Sequence, residues 1–429
     1  MGVPKKIVQS GLLRATSLNG LSVLVKIAIG FATSKVIAVF LGSSGMALIG
    51  NLRNFLTSLE GVSTLGLQNG IVKYVAESKS SQSDLKRVVS TVFLTLICVV
   101  IVCSAALFVF ADFWGRWIFE SEQSYAQVFR IFALALPFYA FSIVLIAILN
   151  GLGDYKKVIW ANILGNILGL AISIWCIVGY ELLGALVAIV LSPSLLFFVS
   201  LAYLKKEVKI LSLLSVSAFD LSLLKKLGSF SLMALFSAVV VPLVYLQIRQ
   251  ETIVVYGKDA AGQWEAMTRI SSYYMLFVST LVSVYFLPKL VLARDNRSVK
   301  TIFLDYFKTV MPLFFVGTIV LYLLRDLIVI LLFTDDFLQV EKLFFFQLLG
   351  DVFRSASMIL GCLFIARKMT KAFFFTEILS LAVLYLTSHF LLSDYGISGL
   401  VAAHAITYAI YFVVLIGYFR KVFTSSDAS

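Results

Sequence analysis

Apolar runs of about twenty residues follow one another along almost the whole chain, separated by short charged breaks. That succession constrains the fold before any single residue is considered. A helix rises about 1.5 Å per residue, so about twenty apolar residues cross a hydrocarbon layer about 30 Å thick. Inside lipid every backbone N–H and C=O needs an internal partner, which leaves helices and closed barrels. Runs this continuous are helices. In the first half the spans fall at roughly 18–41, 45–75, 88–110, 125–149, 157–179 and 182–204. In the second they fall at roughly 227–249, 262–290, 306–332, 343–366, 372–392 and 396–419. With 60% hydrophobic residues, 14% charged and a mean hydropathy of +0.99, a soluble domain is excluded. The expected fold is an all-α membrane protein with about twelve transmembrane helices.

The net charge of +12 points to membrane topology rather than to nucleic acid, because the basic residues sit in short loops. With the N-terminus inside, the cytoplasmic segments hold Lys5, Lys6, Arg14, Lys79, Lys86, Arg87, Lys156, Lys157, Lys205, Lys206 and Lys209. They continue with Lys225, Lys226, Arg294, Arg297, Lys300, Arg367, Lys368, Lys371, Arg420 and Lys421. The opposite loops hold only Arg116, Lys258, Arg325 and Lys342 as bases away from the helix ends and are instead acidic, with Asp112, Glu120, Glu122, Glu181, Asp259, Asp335, Asp336, Glu341 and Asp394. Both termini are therefore expected in the cytoplasm. The first apolar run has a basic flank but no signal-peptide cleavage pattern, so it reads as a first span. Cys98, Cys103, Cys176 and Cys362 lie in apolar runs without metal-ligand spacing and read as packing residues.

The chain also repeats itself. YELLGALVAIVLSPSLLFFVSLAYLKK, from Tyr180, aligns without gaps on YGISGLVAAHAITYAIYFVVLIGYFRK, from Tyr395, matching Gly184 with Gly399 and Lys206 with Lys421. A similar offset of about 215 residues aligns 107–119 with 321–333, and Arg53 with Arg269 to within a residue. Six spans per half enter the membrane in the same sense, so the halves form two parallel-repeat six-helix lobes around a central cavity. The expected boundaries are an N-terminal lobe at 1–204, a cytoplasmic amphipathic linker at 205–226 and a C-terminal lobe at 227–429.

Charges within spans carry the functional reading, since each costs about 2.5–3.5 kcal/mol to insert and needs water or a partner. Arg53, Thr57, Glu60, Thr64 and Gln68 share one stripe of the second span. Lys26 lies near the middle of the first span with no local acid. The others are Lys35, Arg130, Glu265, Arg269, Asp351, Arg354, Glu377 and His404. Bland readings stand beside the functional one. Lys35, Arg130, Glu265 and Glu377 lie near span ends, where snorkelling suffices. Asp351 and Arg354 are three apart and neutralise each other, as Arg53 and Glu60 do at two turns. His404 reads as a hydrogen-bonded core residue before a proton relay. Bases outnumber acids, which favours an anionic ligand, and arginine's planar fork suits phosphate. Gly66 with Gly70, and Gly165 with Gly169, read as small-residue packing faces. Pro137, Pro193, Pro242, Pro288 and Pro312 read as possible kinks. No catalytic grouping, metal spacing or phosphate loop is present, so the chain reads as a non-enzyme without cofactor.

RNFLTSLEGVSTLGLQNGIVKYVAE, SFSLMALFSAVVVPLVYLQIR, LLRDLIVILLF and FFFQLLGDVFRSASMILGCLFIARKMTKAFFFTEI resemble the Wzx-type polysaccharide repeat-unit flippases over nearly the whole chain. That is the lipid III and O-antigen flippase family, within the multidrug/oligosaccharidyl-lipid/polysaccharide exporter superfamily. The resemblance implies two six-helix lobes in the bacterial inner membrane. It also implies an undecaprenyl-pyrophosphate-linked oligosaccharide as substrate, and a polysaccharide polymerase and chain-length regulator as partners. On this reading Lys26, Arg53, Arg269 and Arg354 bind the substrate, and Glu60, Asp351 and Glu377 are candidates for proton or ion coupling. Drug-exporting relatives place an acid in the first helix, where this chain has Lys26 and Lys35. The alternatives are a cation-coupled drug or metabolite antiporter that depends on Glu60, Asp351 or Glu377, and a non-transporting assembly scaffold. Major-facilitator transporters share the two-half plan, but their G-x-x-x-D-R motif is missing from AESKSSQSDLKRVV.

Overall fold

The computed structural model describes residues 5–120, 125–205 and 210–424. Lys206, Lys209 and Glu122, used in the orientation reading, lie outside the described residues. Among the described residues every regular element is helical. In chain order they are α1 (Lys5–Thr64), α2 (Gln68–Ser78), α3 (Gln82–Val109), α4 (Ala111–Phe119), α5 (Ala126–Leu152), α6 (Tyr155–Leu204) and α7 (Ile210–Leu213). They continue with α8 (Leu221–Leu281), α9 (Leu287–Leu292), α10 (Asn296–Leu323), α11 (Arg325–Leu332), α12 (Phe344–Ala366), α13 (Thr370–Tyr395), α14 (Ile397–Tyr418) and α15 (Arg420–Phe423).

Nine helical stretches among the described residues are long and apolar enough to cross a membrane, and three run to 59, 50 and 62 residues. A straight helix of sixty residues would be about 90 Å long, three times the hydrocarbon thickness. Each of the three is instead broken once: α1 at Gly42 (φ 62°, ψ −164°), α6 at Glu181 (φ 47°, ψ −125°) and α8 at Gly257 (φ 83°, ψ 171°). Each broken stretch supplies two crossings, so the described residues supply twelve. None of the three breaks is at a proline. Pro137, Pro193, Pro242 and Pro312 continue within helices, while Pro288 follows a π-helical turn at Val282–Phe286. That turn interrupts the continuous span expected over 262–290.

The backbone carries the internal repeat more sharply than the side chains do. Gly42 with Gly257, Gly153 with Lys368 and Glu181 with Gly396 are left-handed residues separated by the same 215 positions as Tyr180 and Tyr395. Gly184 lies hard against the Cys176 carbonyl and Gly399 against the Leu391 carbonyl, one repeat later, so any Cβ there would clash. The short helices α4 and α11 follow α3 and α10 at nearly the same offset.

Contacts group the chain into two compact units: residues 1–40 with 51–246, and 41–50 with 247–429. In the first, α5 is the central helix, packed against α2, α3 and α6, and 61% of its most apolar window is buried. In the second, α12 plays that part against α10 and α14, also with 61% buried. Elsewhere large apolar side chains point outward, among them Val102, Leu134, Trp175 and Leu323. Surfaces of this kind need lipid, and the chain is an integral membrane protein. The described part of the expected linker docks against the start of α3. Ser90 donates to the Leu213 carbonyl (2.6 Å) and accepts from the Ser215 N–H (3.0 Å), while Leu213 joins Leu85, Val88 and Leu227 in an apolar cluster.

Candidate functional site

The first unit holds a cavity of about 410 Å³ built from five crossings. The first arm of α1 contributes Lys26 and Thr33; the second contributes Arg53, Thr57 and Glu60. α5 adds Tyr139 and Ser142. The two arms of α6 add Asn162, Asn166 and Ser173 from one side and Ser192 and Pro193 from the other. Gly165 and Gly169 sit between these arms, where a Cβ would come within 2.8 Å of Leu196 and 3.2 Å of Ser192. The small side chains therefore set the close approach of the arms, as the sequence pattern anticipates.

Charge in this cavity is unbalanced. Its charged lining residues are Lys26, Arg53 and Glu60, giving one carboxylate against two cations. Glu60 accepts a hydrogen bond from the Tyr139 hydroxyl and feels the field of Lys26. Most lining hydroxyls are committed to helix carbonyls: Thr33 to Ile29 (2.8 Å), Thr57 to Arg53 (3.0 Å), Ser142 to Tyr139 (2.7 Å) and Ser192 to Ala188 (2.7 Å). They remain acceptors. Donation into the space therefore falls to Lys26, Arg53 and the two asparagine amides.

The stripe expected from Arg53 to Gln68 is shorter than its sequence spacing implies. α1 ends at Thr64, and Leu65 (φ 52°) and Gly66 (φ 61°) turn the chain before α2 begins at Gln68. A Cβ on Gly66 would come within 3.0 Å of the Leu235 nitrogen and the Ser231 carbonyl oxygen, so backbone meets backbone there. Gly66 and Gly70 therefore share no continuous helix face. Arg53, Thr57 and Glu60 reach the cavity, while Thr64 is buried and donates to the Glu60 carbonyl (2.7 Å).

Arg269, Arg354, Asp351, Glu377 and His404 belong to the second unit. Arg269 is 2% exposed, its Nε 2.9 Å from Glu265 Oε1; Arg249 Nη2 lies 2.5 Å from Glu265 Oε2 and over the Trp264 ring. Glu265 is thus buried between two arginines, against the snorkelling reading, and Arg269 is occupied as a packing cation. The register explains why. Left-handed positions repeat at 215, so Arg53 corresponds to Thr268, and Thr57 to Ser272. Both pairs make the same bond: Thr57 donates to the Arg53 carbonyl and Ser272 to the Thr268 carbonyl (2.8 Å). Arg269 is one residue, or about 100°, further round its helix.

Asp351 is fully buried and accepts from Ser271 (2.6 Å), Tyr274 (2.5 Å) and Gln347 (3.1 Å), with His404 Nε2 at 3.1 Å and Arg354 at 3.8 Å. Arg354 keeps its side chain 34% exposed and lies over the Tyr408 ring. The Asp351–Arg354 neutralisation and the hydrogen-bonded His404 of the bland readings are both present here. Glu377 is half-buried near Tyr411. Arg130 pairs with Asp112 at the surface (3.6 Å). Arg249, Tyr139, Gln347, Asn162 and Asn166 are site residues that the sequence reading passed over. Asn162 with Asn166, and Gln347 with Asp351, carry a legible signal: polar residues four apart in apolar helices.

Over residues 12–290 the chain matches the family described as "Polysaccharide biosynthesis protein". It is 31% identical over 417 residues to the lipid III flippase of Escherichia coli (strain K12), covering 95% of this chain and 98% of that one. The lipid III flippase of Shigella flexneri matches equally. Among solved structures, an inward-facing multidrug resistance MATE family transporter of the MOP superfamily superimposes with a TM-score of 0.73 at 16% identity, covering 94% of this chain and 96% of that one. The lipid II flippase MurJ, in an inward closed conformation, gives 0.63 at 16% identity, covering 96% and 90%. These two likenesses concern the fold alone.

Proposed function

The chain belongs to the polysaccharide biosynthesis protein family, and from that membership and its cationic cavity we infer that it is a flippase for lipid-linked oligosaccharides. Its substrate is an undecaprenyl-pyrophosphate-linked repeat unit, carried from the inner to the outer leaflet of the bacterial inner membrane. The observation that carries this reading is the pairing of Lys26 with Arg53 in one membrane-embedded cavity. Lys26 forms no ion pair among the described residues, and two cations against one carboxylate in the cavity lining favour an anionic guest. A diphosphate accepts the bidentate fork of Arg53 and the point charge of Lys26 together. The lipid III flippase relatives, matched end to end, support the substrate class.

The lobes rock to expose the head group on alternate sides while the lipid tail stays in the bilayer. With both termini cytoplasmic, an inside-negative potential favours outward passage by about 2.3 kcal/mol per net negative charge per 100 mV. Arg354, partly exposed, assists the head group in the second lobe. Asp351, with Glu60 and Glu377, serves coupling. A polymerase and a chain-length regulator receive the product.

The test is reconstitution of the purified chain with a fluorescent undecaprenyl-pyrophosphate-linked saccharide, its leaflet followed by quenching. Arg53→Ala and Lys26→Ala are expected to lose transport at unchanged thermal stability. Transport at the unaltered rate in both would sink the anchor assignment. Asp351→Asn is expected to bind the lipid but not to respond to an imposed cation gradient; an unchanged response removes Asp351 from coupling.

A further inference from the structure

We propose that Asn162 and Asn166 form a saccharide-reading rail in the cavity, opposite in chemical role to the cationic wall of Lys26 and Arg53. The proposal rests on the flippase reading and specifies what the same cavity recognises beyond the diphosphate. The two asparagines are four residues apart on the first arm of α6, hence on one face, and both line the cavity. Both are half-buried, and among the described residues neither amide has a hydrogen-bond partner. Their neighbours differ. Thr33, Thr57, Ser142 and Ser192 donate inward to helix carbonyls, and Tyr139 donates to Glu60.

An amide offers two N–H donors beside a carbonyl acceptor. Two of them in line complement a surface that alternates donor and acceptor, as the edge of a sugar ring does with its hydroxyl or acylamino groups. A diphosphate is acceptor-only and has no use for the asparagine carbonyls. Gly165 and Gly169 on the same arm let the second arm pack close, which brings Ser192 and Leu196 to the cavity beside the rail. Leu170, also on this arm, offers a sugar ring an apolar contact. The anionic part of the guest is held by α1 and the uncharged polar part by α6. Sites of this design reject a ligand that lacks the matching group, because their own polar atoms are then desolvated without a partner.

The experiment compares binding of two probes to the purified full chain in nanodiscs: undecaprenyl diphosphate, and the same lipid bearing a short saccharide. The unaltered chain is expected to prefer the sugar-bearing lipid by about tenfold or more. Asn166→Leu, close in shape but without polar atoms, is expected to bind the two lipids within about twofold of each other. Asn162→Ala, which only removes atoms, checks the same loss should N166L fold poorly. R53A is expected to weaken both lipids together and keep their ratio. A preserved preference in N166L and N162A, with R53A still weakening both, overturns the rail and leaves the flippase reading intact. Failure of the unaltered chain to bind either lipid overturns the flippase reading itself.

Discussion

Replacing Glu265 by glutamine isolates the chemistry of the second unit's buried cations. Arg249, Glu265 and Arg269 are 1%, 4% and 2% exposed, and the carboxylate meets one arginine at 2.5 Å and the other at 2.9 Å. The cluster already carries one positive charge in excess. Glutamine keeps the shape but cancels the sole carboxylate, leaving two buried guanidinium groups facing a neutral amide. Removing one partner of a buried ion pair costs about 3–5 kcal/mol, because the remaining charge stays desolvated. A Cβ on Gly50 would come within 2.7 Å of the Glu265 carboxyl, so the carboxyl packs directly on that glycine. Arg249→Met is the graded control. It keeps the neutral Glu265–Arg269 pair and replaces the guanidinium stem with apolar volume over Trp264, so the loss falls to about 2–3 kcal/mol, one charged hydrogen bond and one cation–π contact. Thermal unfolding of the purified chain in detergent gives the order: unaltered, then R249M, then E265Q. An E265Q chain as stable as the unaltered one refutes the buried-network assignment and restores Arg269 as a candidate diphosphate ligand.

Two further outcomes follow from the loops. Glu181 holds φ 47°, ψ −125°, a region that costs a side-chain residue about 1–3 kcal/mol, and the repeat places Gly396 at the equivalent turn. Glu181→Gly should therefore raise stability by about 1 kcal/mol after glycine's entropy is counted, read as a higher unfolding temperature; a lower one disproves the strain. Asp259 accepts hydrogen bonds from Ser43 and from Ser44 (2.8 Å), which hold its carboxyl below the usual range near 3.8. A depressed folded value means the stabilisation is present above the unfolded value and is lost as pH falls through the folded one. Asp259→Asn should flatten that acid limb of stability below about pH 4, and an unaltered limb excludes Asp259 as its source.

Much of this architecture is legible because lipid is a severe solvent. Span number, span length and the cation-rich second helix follow from where apolar runs start and stop. What stays hidden is set by rotation and by turns. The apolar run from 45 to 75 gives no warning that Leu65 and Gly66 turn the chain, since the cause is the close backbone of Ser231 and Leu235, distant in sequence. Arg249 is overlooked because it ends an apolar run and looks exposed. Only the fold of α8 back at Gly257 brings Glu265 to it.

The one-residue offset between Arg53 and Arg269 shows how register decides a side chain's surroundings. A side chain moved one position along a helix turns by about 100°, enough to pass from a cavity wall to a packed interior. The duplicated turns fix the register at 215, and at that register the second copy offers Thr268 where the first has Arg53, and Met275 where it has Glu60. Thr268, like Arg53, is half-buried, so the position keeps its exposure and loses its charge. The second copy has instead moved its charges into the interior, as Glu265 with two arginines and as Asp351 with His404. Duplication thus preserved the backbone while the polar content diverged. The cavity cations Lys26 and Arg53 belong to the first copy, and the buried Asp351 cluster to the second.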